Sequence, residues 1–136
     1  NQLVAAILNC GVYDMKRMSD LTGIPAWGFK IALWGYTGTK NWSETYAGAT
    51  MSTIDFVNSS FPPTYISGGN GDGLTWLETV PMSAALKGAG VEVDELVWPA
   101  NHEPALPHEY QFHLNFKEAH TALDRTVEFL AAHTHQ

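Results

Sequence analysis

The sequence predicts an α/β fold, with a mostly parallel sheet and helices on its faces. Three observations carry this. Leu3 to Leu8, LVAAIL, is an unbroken apolar run closed by Asn9-Cys10-Gly11, the pattern of a strand buried on both faces. From Pro63 onward, strand-like and helix-like segments alternate, and that alternation implies parallel pairing through crossover helices. The last segment, Phe116 to Ala132, is the clearest amphipathic helix in the chain.

The segments justify themselves in order. After the first strand, residues 12–60 are rich in aromatics, Gly, Ser and Thr and have weak periodicity, so they read as an irregular insertion. Within it, Trp27 to Tyr36 fits a short helix with Trp27, Ile31 and Trp34 on one face, and Met51 to Val57 fits another. Pro62-Pro63 stops the insertion, and Thr64 to Ser67 is a short strand. Leu74 to Gly88 is a helix that Pro81 either splits or starts, because proline is tolerated only in a first turn. Met82, Ala85, Leu86 and Ala89 form its apolar stripe, and Gly88 and Gly90 end it. Val91 to Trp98, VEVDELVW, is partly alternating and β-branched, hence a strand. Residues 99–107 hold three prolines and form a loop. Asn115 is a candidate N-cap for the final helix, whose stripe is Phe116, Ala119, Leu123, Val127 and Leu130.

Composition narrows the function. With 136 residues, 45% of them hydrophobic, the chain suits one domain or a piece of a larger one. Only 15% of residues are charged, while five Trp, five Tyr and six Phe are present. That balance implies more buried or partner-covered surface than a free-standing domain of this size carries. Together with a first residue that is Asn and an apolar run that begins at once, it suggests the C-terminal part of a longer protein. The net charge of −7 and the scattered Lys and Arg leave no basic patch for phosphates, which argues against nucleic acid. No apolar run reaches the length of a membrane span. The single Cys10 forms no internal disulfide and suits a reducing, cytoplasmic location; it reads as a small buried residue.

The chemically suggestive segment is FPPTYISGGNGDGL, residues 61–74, which sets Asp72 in a glycine-rich loop just after a strand. His102 and His108 follow in WPANHEPALPHEYQF, in the loop after the next strand. In parallel α/β sheets such loops lie at the C-terminal strand ends, where functional groups gather. A carboxylate there can orient an imidazole that acts as general base. The same spacing also fits Asp72 as a cap for the helix near Leu74, with the histidines as ordinary loop residues. Other chemistries fit less well. His108 and His113 are five apart, about 140° around a helix, and Pro104 and Pro107 interrupt the segment that carries Glu103 and Glu109, so a helical zinc pair is disfavoured. As a calcium loop, Asn70-Gly71-Asp72-Gly73 fails where Gly68 and Thr79 would have to be carboxylates. No three glycines fall at dinucleotide-binding spacing. The glycines then read as a tight turn that exposes Asp72. Trp27, Phe29, Trp34, Tyr36, Trp42 and Tyr46 of the insertion serve equally as a pocket wall or as core. His120, His133 and His135 read as a solvated helix face or tail.

The run PPTYISGGNGDGLT, a helix ending in Ala89-Gly90-Val91, the strand GVEVDELVW, then HEYQF and a final helix resemble the C-terminal part of α/β-hydrolase esterases and lipases, closest to the hormone-sensitive-lipase-like group. The resemblance covers nearly the whole chain and is vaguest in the insertion. It implies a partial α/β-hydrolase domain over 1–136. Residues 15–60 would be its variable lid or cap-like insertion, and 61–136 the strands and helices bearing the triad acid and base. It makes Asp72 the acid, although Gly73-Leu74 follows where the family commonly has Pro-Leu. It makes His108 the base, since Phe112 and a helix follow, with His102, nearer the family's usual spacing, as the alternative. The G-x-S-x-G elbow and the oxyanion loop of the family are absent from these residues. The resemblance therefore implies a carboxylic-ester hydrolase whose nucleophile is supplied from elsewhere, a small-molecule ester substrate, no cofactor or metal, a missing N-terminal half as partner, and possible homo-oligomers. This piece alone would be inactive. The rival expectation is a non-catalytic α/β module that binds a small apolar ligand or another subunit.

Overall fold

The computed structural model describes residues 3–134, with the backbone alone at Ile24 and Pro25. The chain forms two compact units, residues 1–11 with 57–136, and residues 12–56.

The first unit is a three-stranded parallel sheet in the order β1 (Ala6–Asn9), β2 (Thr64–Gly68), β3 (Val93–Val97). Leu8 pairs with Ile66, and Ile66 in turn with Glu95. The parallel α/β class expected from the alternation is therefore present. β2 lies between two neighbours and is buried along its whole length. β1 differs from expectation: it is half-buried throughout, and it lies at the edge of the sheet, paired with β2 alone among the described residues.

The predicted Leu74–Gly88 helix begins as a single wide turn, Thr75–Thr79, and continues as α4 (Val80–Gly88). Pro81 sits in the first turn of α4, where its missing N–H costs no hydrogen bond. Gly90, at φ 81°, closes the helix, with Val91 N–H donating to the Leu86 carbonyl at 3.0 Å. Met82 and Leu86 bury the predicted stripe.

The final helix, α5 (Lys117–Thr134), starts later than expected, so Phe116 and not Asn115 precedes its first residue. Its buried face also differs. Ala119 is buried as expected, but Ala122 and Phe129 are buried with it, while Leu123, Val127 and Leu130 are exposed. Ala122, which was outside the expected stripe, packs into the core with Tyr65 and Phe129. The resulting core joins Tyr65, Leu96, Leu106, Tyr110, Ala122 and Phe129, with Ile7, Trp98 and Phe116 against it. His120 is exposed, as expected. His133 is not on a solvated face: its ring lies 4.3 Å from that of Phe129 and its Nδ1 donates to the Phe129 carbonyl at 2.7 Å. His135 lies outside the described residues.

The second unit is more regular than its sequence suggests. It contains α1 (Met15–Asp20), α2 (Ile24–Thr37) and α3 (Tyr46–Ala49). Asp14 caps α1 by accepting from Arg17 N at 3.0 Å, and Thr45 caps α3 by accepting from Gly48 N at 2.9 Å. The expected Trp27–Tyr36 helix is present and longer, but among its described side chains Ala26 and Leu33 are the buried ones, and Trp27 and Ile31 are exposed. Met51–Val57 holds only a single 3-10 turn, Thr53–Phe56. Of the expected aromatic cluster, Trp42 is buried while Tyr36 and Tyr46 are exposed. No helix among the described residues is long and apolar enough to cross a membrane.

Candidate active site

The glycine-rich loop after β2 and the proline-rich loop after β3 lie against each other at the C-terminal end of the sheet. Backbone contact makes this possible. Gly71 N–H donates to the Leu106 carbonyl at 2.9 Å. A Cβ on Gly69 would stand 2.4 Å from the Leu106 carbonyl oxygen and 2.7 Å from that of Pro107. Glycine is required there for close approach, not for an unusual φ. The expectation that these glycines expose Asp72 is thus corrected: Asp72 is buried.

Asn70 fastens the two loops. Its Oδ1 accepts from Leu106 N at 3.0 Å and its Nδ2 donates to the His102 carbonyl at 2.9 Å. Its own carbonyl accepts from Trp76 Nε1 at 3.2 Å. Both Asn70 and Leu106 are buried, so these bonds form where water does not compete.

With the loops so held, the Asp72 carboxylate is engaged at both oxygens. Oδ1 accepts from Leu74 N at 2.9 Å, and Oδ2 lies 2.8 Å from His108 Nδ1. The two readings of Asp72, turn cap and partner of a histidine, are therefore both realised by one side chain. The His108 side chain is 49% exposed, so the ring edge away from the carboxylate can meet a reactant. A carboxylate at Nδ1 holds the proton on that nitrogen and leaves Nε2 as the acceptor.

His102 is placed differently. Its Nε2 lies 2.9 Å from Oε1 of the buried Glu118 in α5, and its ring packs 4.7 Å from that of Trp98. Burial pushes the Glu118 carboxyl up, but its own backbone N–H, His102 and Lys117 outweigh this and hold it below the ordinary carboxylate value. His102 thus ties its loop to α5. His113 stands beside Phe116, with rings 6.5 Å apart, and forms no metal-ligating group with His108 among the described residues.

Sequence reasoning missed the neighbours of this pair. Cys10, directly after β1, is buried as expected, but its sulfur is close to Asp72 and His108. The thiol donates to Gln111 Oε1 at 3.3 Å, and Glu109 N–H donates to the sulfur at 3.4 Å. Gln111 Nε2 donates to Ser67 Oγ at 2.6 Å, and Ser67 donates on to Asn9 Oδ1 at 2.8 Å. Cys10 and Glu109 both adopt positive φ, 51° and 57°, a conformation that costs a non-glycine residue on the order of 1 kcal/mol. The only available signal was positional: Asn9, Cys10 and Ser67 sit at strand C-termini. Beside this network lies a groove of about 270 Å3, lined by Asn9 and Gln111 with Phe112, Leu114, Leu123 and Thr126.

Comparison with solved structures bears out the parallel α/β sheet with flanking helices. The chain superimposes on esterase B from Lactobacillus rhamnosis HN001 with a TM-score of 0.69, at 18% identity over 94% of this chain. A second structure of that esterase, described as C6-C4 SN3 inhibited, gives a TM-score of 0.72 at 17% identity. The chain spans 40% of the length of each. No family model matches the sequence, and no curated protein matches it. The likeness establishes the fold.

Proposed function

We propose that this chain supplies the acid and the base of a serine carboxylic-ester hydrolase, with the nucleophile carried on a segment outside these residues. The observation that carries this is the 2.8 Å contact between His108 Nδ1 and Asp72 Oδ2, from loops after adjacent parallel strands. The esterase fold supports it. In this reading Asp72 keeps the proton on Nδ1 and stabilises the imidazolium. His108 Nε2 takes the proton of the attacking serine hydroxyl and returns it to the leaving alkoxide as the acyl-enzyme forms. A water then attacks the acyl-enzyme, His108 accepting its proton and delivering it to the serine. His102 likewise pairs with a carboxylate, that of Glu118, but its side chain is only 20% exposed, so its ring is less open to a reactant.

Within this proposal residues 15–60 form the lid or cap-like part of the domain, and the substrate is a small ester. The protein is cytoplasmic, in keeping with its lone thiol, and homo-oligomers are compatible with its exposed apolar side chains. The apolar groove beside Gln111 favours a second reading, a non-catalytic module that holds a small apolar ligand or a partner subunit.

The test is reconstitution with a chain bearing a nucleophile elbow, assayed on a short-chain chromogenic ester. Restored turnover that falls about 10^4-fold in Asp72→Asn and in His108→Ala is expected. A tight complex with no turnover favours the module. Turnover by the 136 residues alone, lost in either variant, would mean that the nucleophile lies within them.

A further inference from the structure

Among the described residues, one group gathers three different metal-ligating chemistries. Cys10, Asp72 and His108 each place a ligand atom within 4.8 Å of the other two. We propose that these residues form a binding site for a soft divalent cation of the zinc type, and that the cation blocks the histidine instead of assisting it.

The ligands come from three separate anchors: the end of β1, the loop after β2 and the loop after β3. Donors around a tetrahedral Zn2+, each about 2.0–2.3 Å from the ion, stand roughly 3.3–3.8 Å apart. Small side-chain rotations therefore close the set. The contacts that now hold the sulfur, at 3.3 Å to Gln111 Oε1 and 3.4 Å to Glu109 N, are those of a thiol, a weak donor and weak acceptor, and are readily exchanged for a metal bond. Cys10 and Asp72 are buried while His108 is half exposed, so an ion can enter past the imidazole and keep water as its fourth ligand. A thiolate and an imidazole beside a single carboxylate select zinc-like ions over Mg2+ or Ca2+, which require oxygen ligands. On binding, the thiol gives its proton to solvent. The imidazole commits a lone pair to the ion, so it can no longer act as a base. This inhibitory consequence rests on the proposed esterase chemistry; the binding itself does not.

The experiment is titration of the reduced chain with Zn2+ by calorimetry and with Co2+ by absorption. One ion per chain is expected, and the Co2+ complex should show a thiolate-to-cobalt charge-transfer band. Cys10→Ser and His108→Ala should each weaken Zn2+ binding by at least about tenfold. The band should vanish in Cys10→Ser, with circular dichroism confirming that both variants fold. Absence of binding, a Co2+ spectrum without the thiolate band, or unchanged Zn2+ affinity in Cys10→Ser overturns the proposal. Cys10-dependent binding in a protein that never hydrolyses esters would leave this site standing while removing the esterase reading. Hydrolysis without ion binding would remove the site alone.

Discussion

Replacing Asn70 by Ala tests whether the two loops are held as the geometry indicates. The substitution deletes two hydrogen bonds, from Leu106 N at 3.0 Å and to the His102 carbonyl at 2.9 Å. Leu106 is fully buried, so its orphaned N–H costs the desolvation of a polar group, about 1–3 kcal/mol. The second bond adds roughly 0.5–1.5 kcal/mol, because the carbonyl left behind can find water more easily. The expected loss is about 2–4 kcal/mol, read as a lower midpoint in urea denaturation. Two local signals should accompany it. The Leu106 amide should exchange faster with solvent, and the Nδ1–H proton resonance of His108 should broaden as its loop loosens from Asp72. Asn70→Asp should fall between the two proteins, since it keeps an acceptor for Leu106 N but turns a carboxylate toward the His102 carbonyl. A loss below about 0.5 kcal/mol with unchanged Leu106 protection would refute the reasoning, because the clamp would then carry no load.

Further outcomes follow from the same geometry. Gly69→Ala should destabilise by about 1–3 kcal/mol or more, measured by thermal unfolding, because its Cβ meets two backbone carbonyls that cannot rotate away. Phe129→Ala should cost about 3–5 kcal/mol and Leu123→Ala well under 1 kcal/mol; equal costs would contradict the buried face of α5. Stability should also depend on pH at two ends, followed by denaturation midpoints. Glu118 has a folded pKa held below 4.5, so its contribution is present above that value and fades as pH falls through the folded pKa. The Phe129 carbonyl, with Glu92 and against the effect of burial, raises the pKa of His133 above 6.5. That contribution is therefore complete below 6.5 and fades as pH rises through the folded value, and Glu118→Gln and His133→Gln should each flatten their own end of the profile.

The fold was legible because parallel strands and the connecting helix α4 leave local composition patterns in alternation. The run ending at Leu8, the strand at Thr64 and the glycine stop after α4 all needed only local chemistry to recognise. Burial was read less well. For α5 the sequence favoured Phe116, Ala119, Leu123, Val127 and Leu130; Ala119 is buried as expected, but Ala122 and Phe129 are buried in place of Leu123, Val127 and Leu130, a rotation of the buried face that the apolar pattern does not show. β1 looked doubly buried because its residues are apolar, but burial depends on what covers a strand and not on its composition.

By itself the sequence determined the α/β class, the order of elements, and the placement of Asp72 and two histidines in loops at strand ends. Those are consequences of periodicity and punctuation, which are local. Only the tertiary structure decided that His108 meets Asp72 while His102 turns to Glu118, that Asn70 ties the loops together, and that the Cys10 sulfur stands beside the pair. Each of these joins residues at least sixteen positions apart, and such distances are set by how the loops pack, which no local pattern encodes.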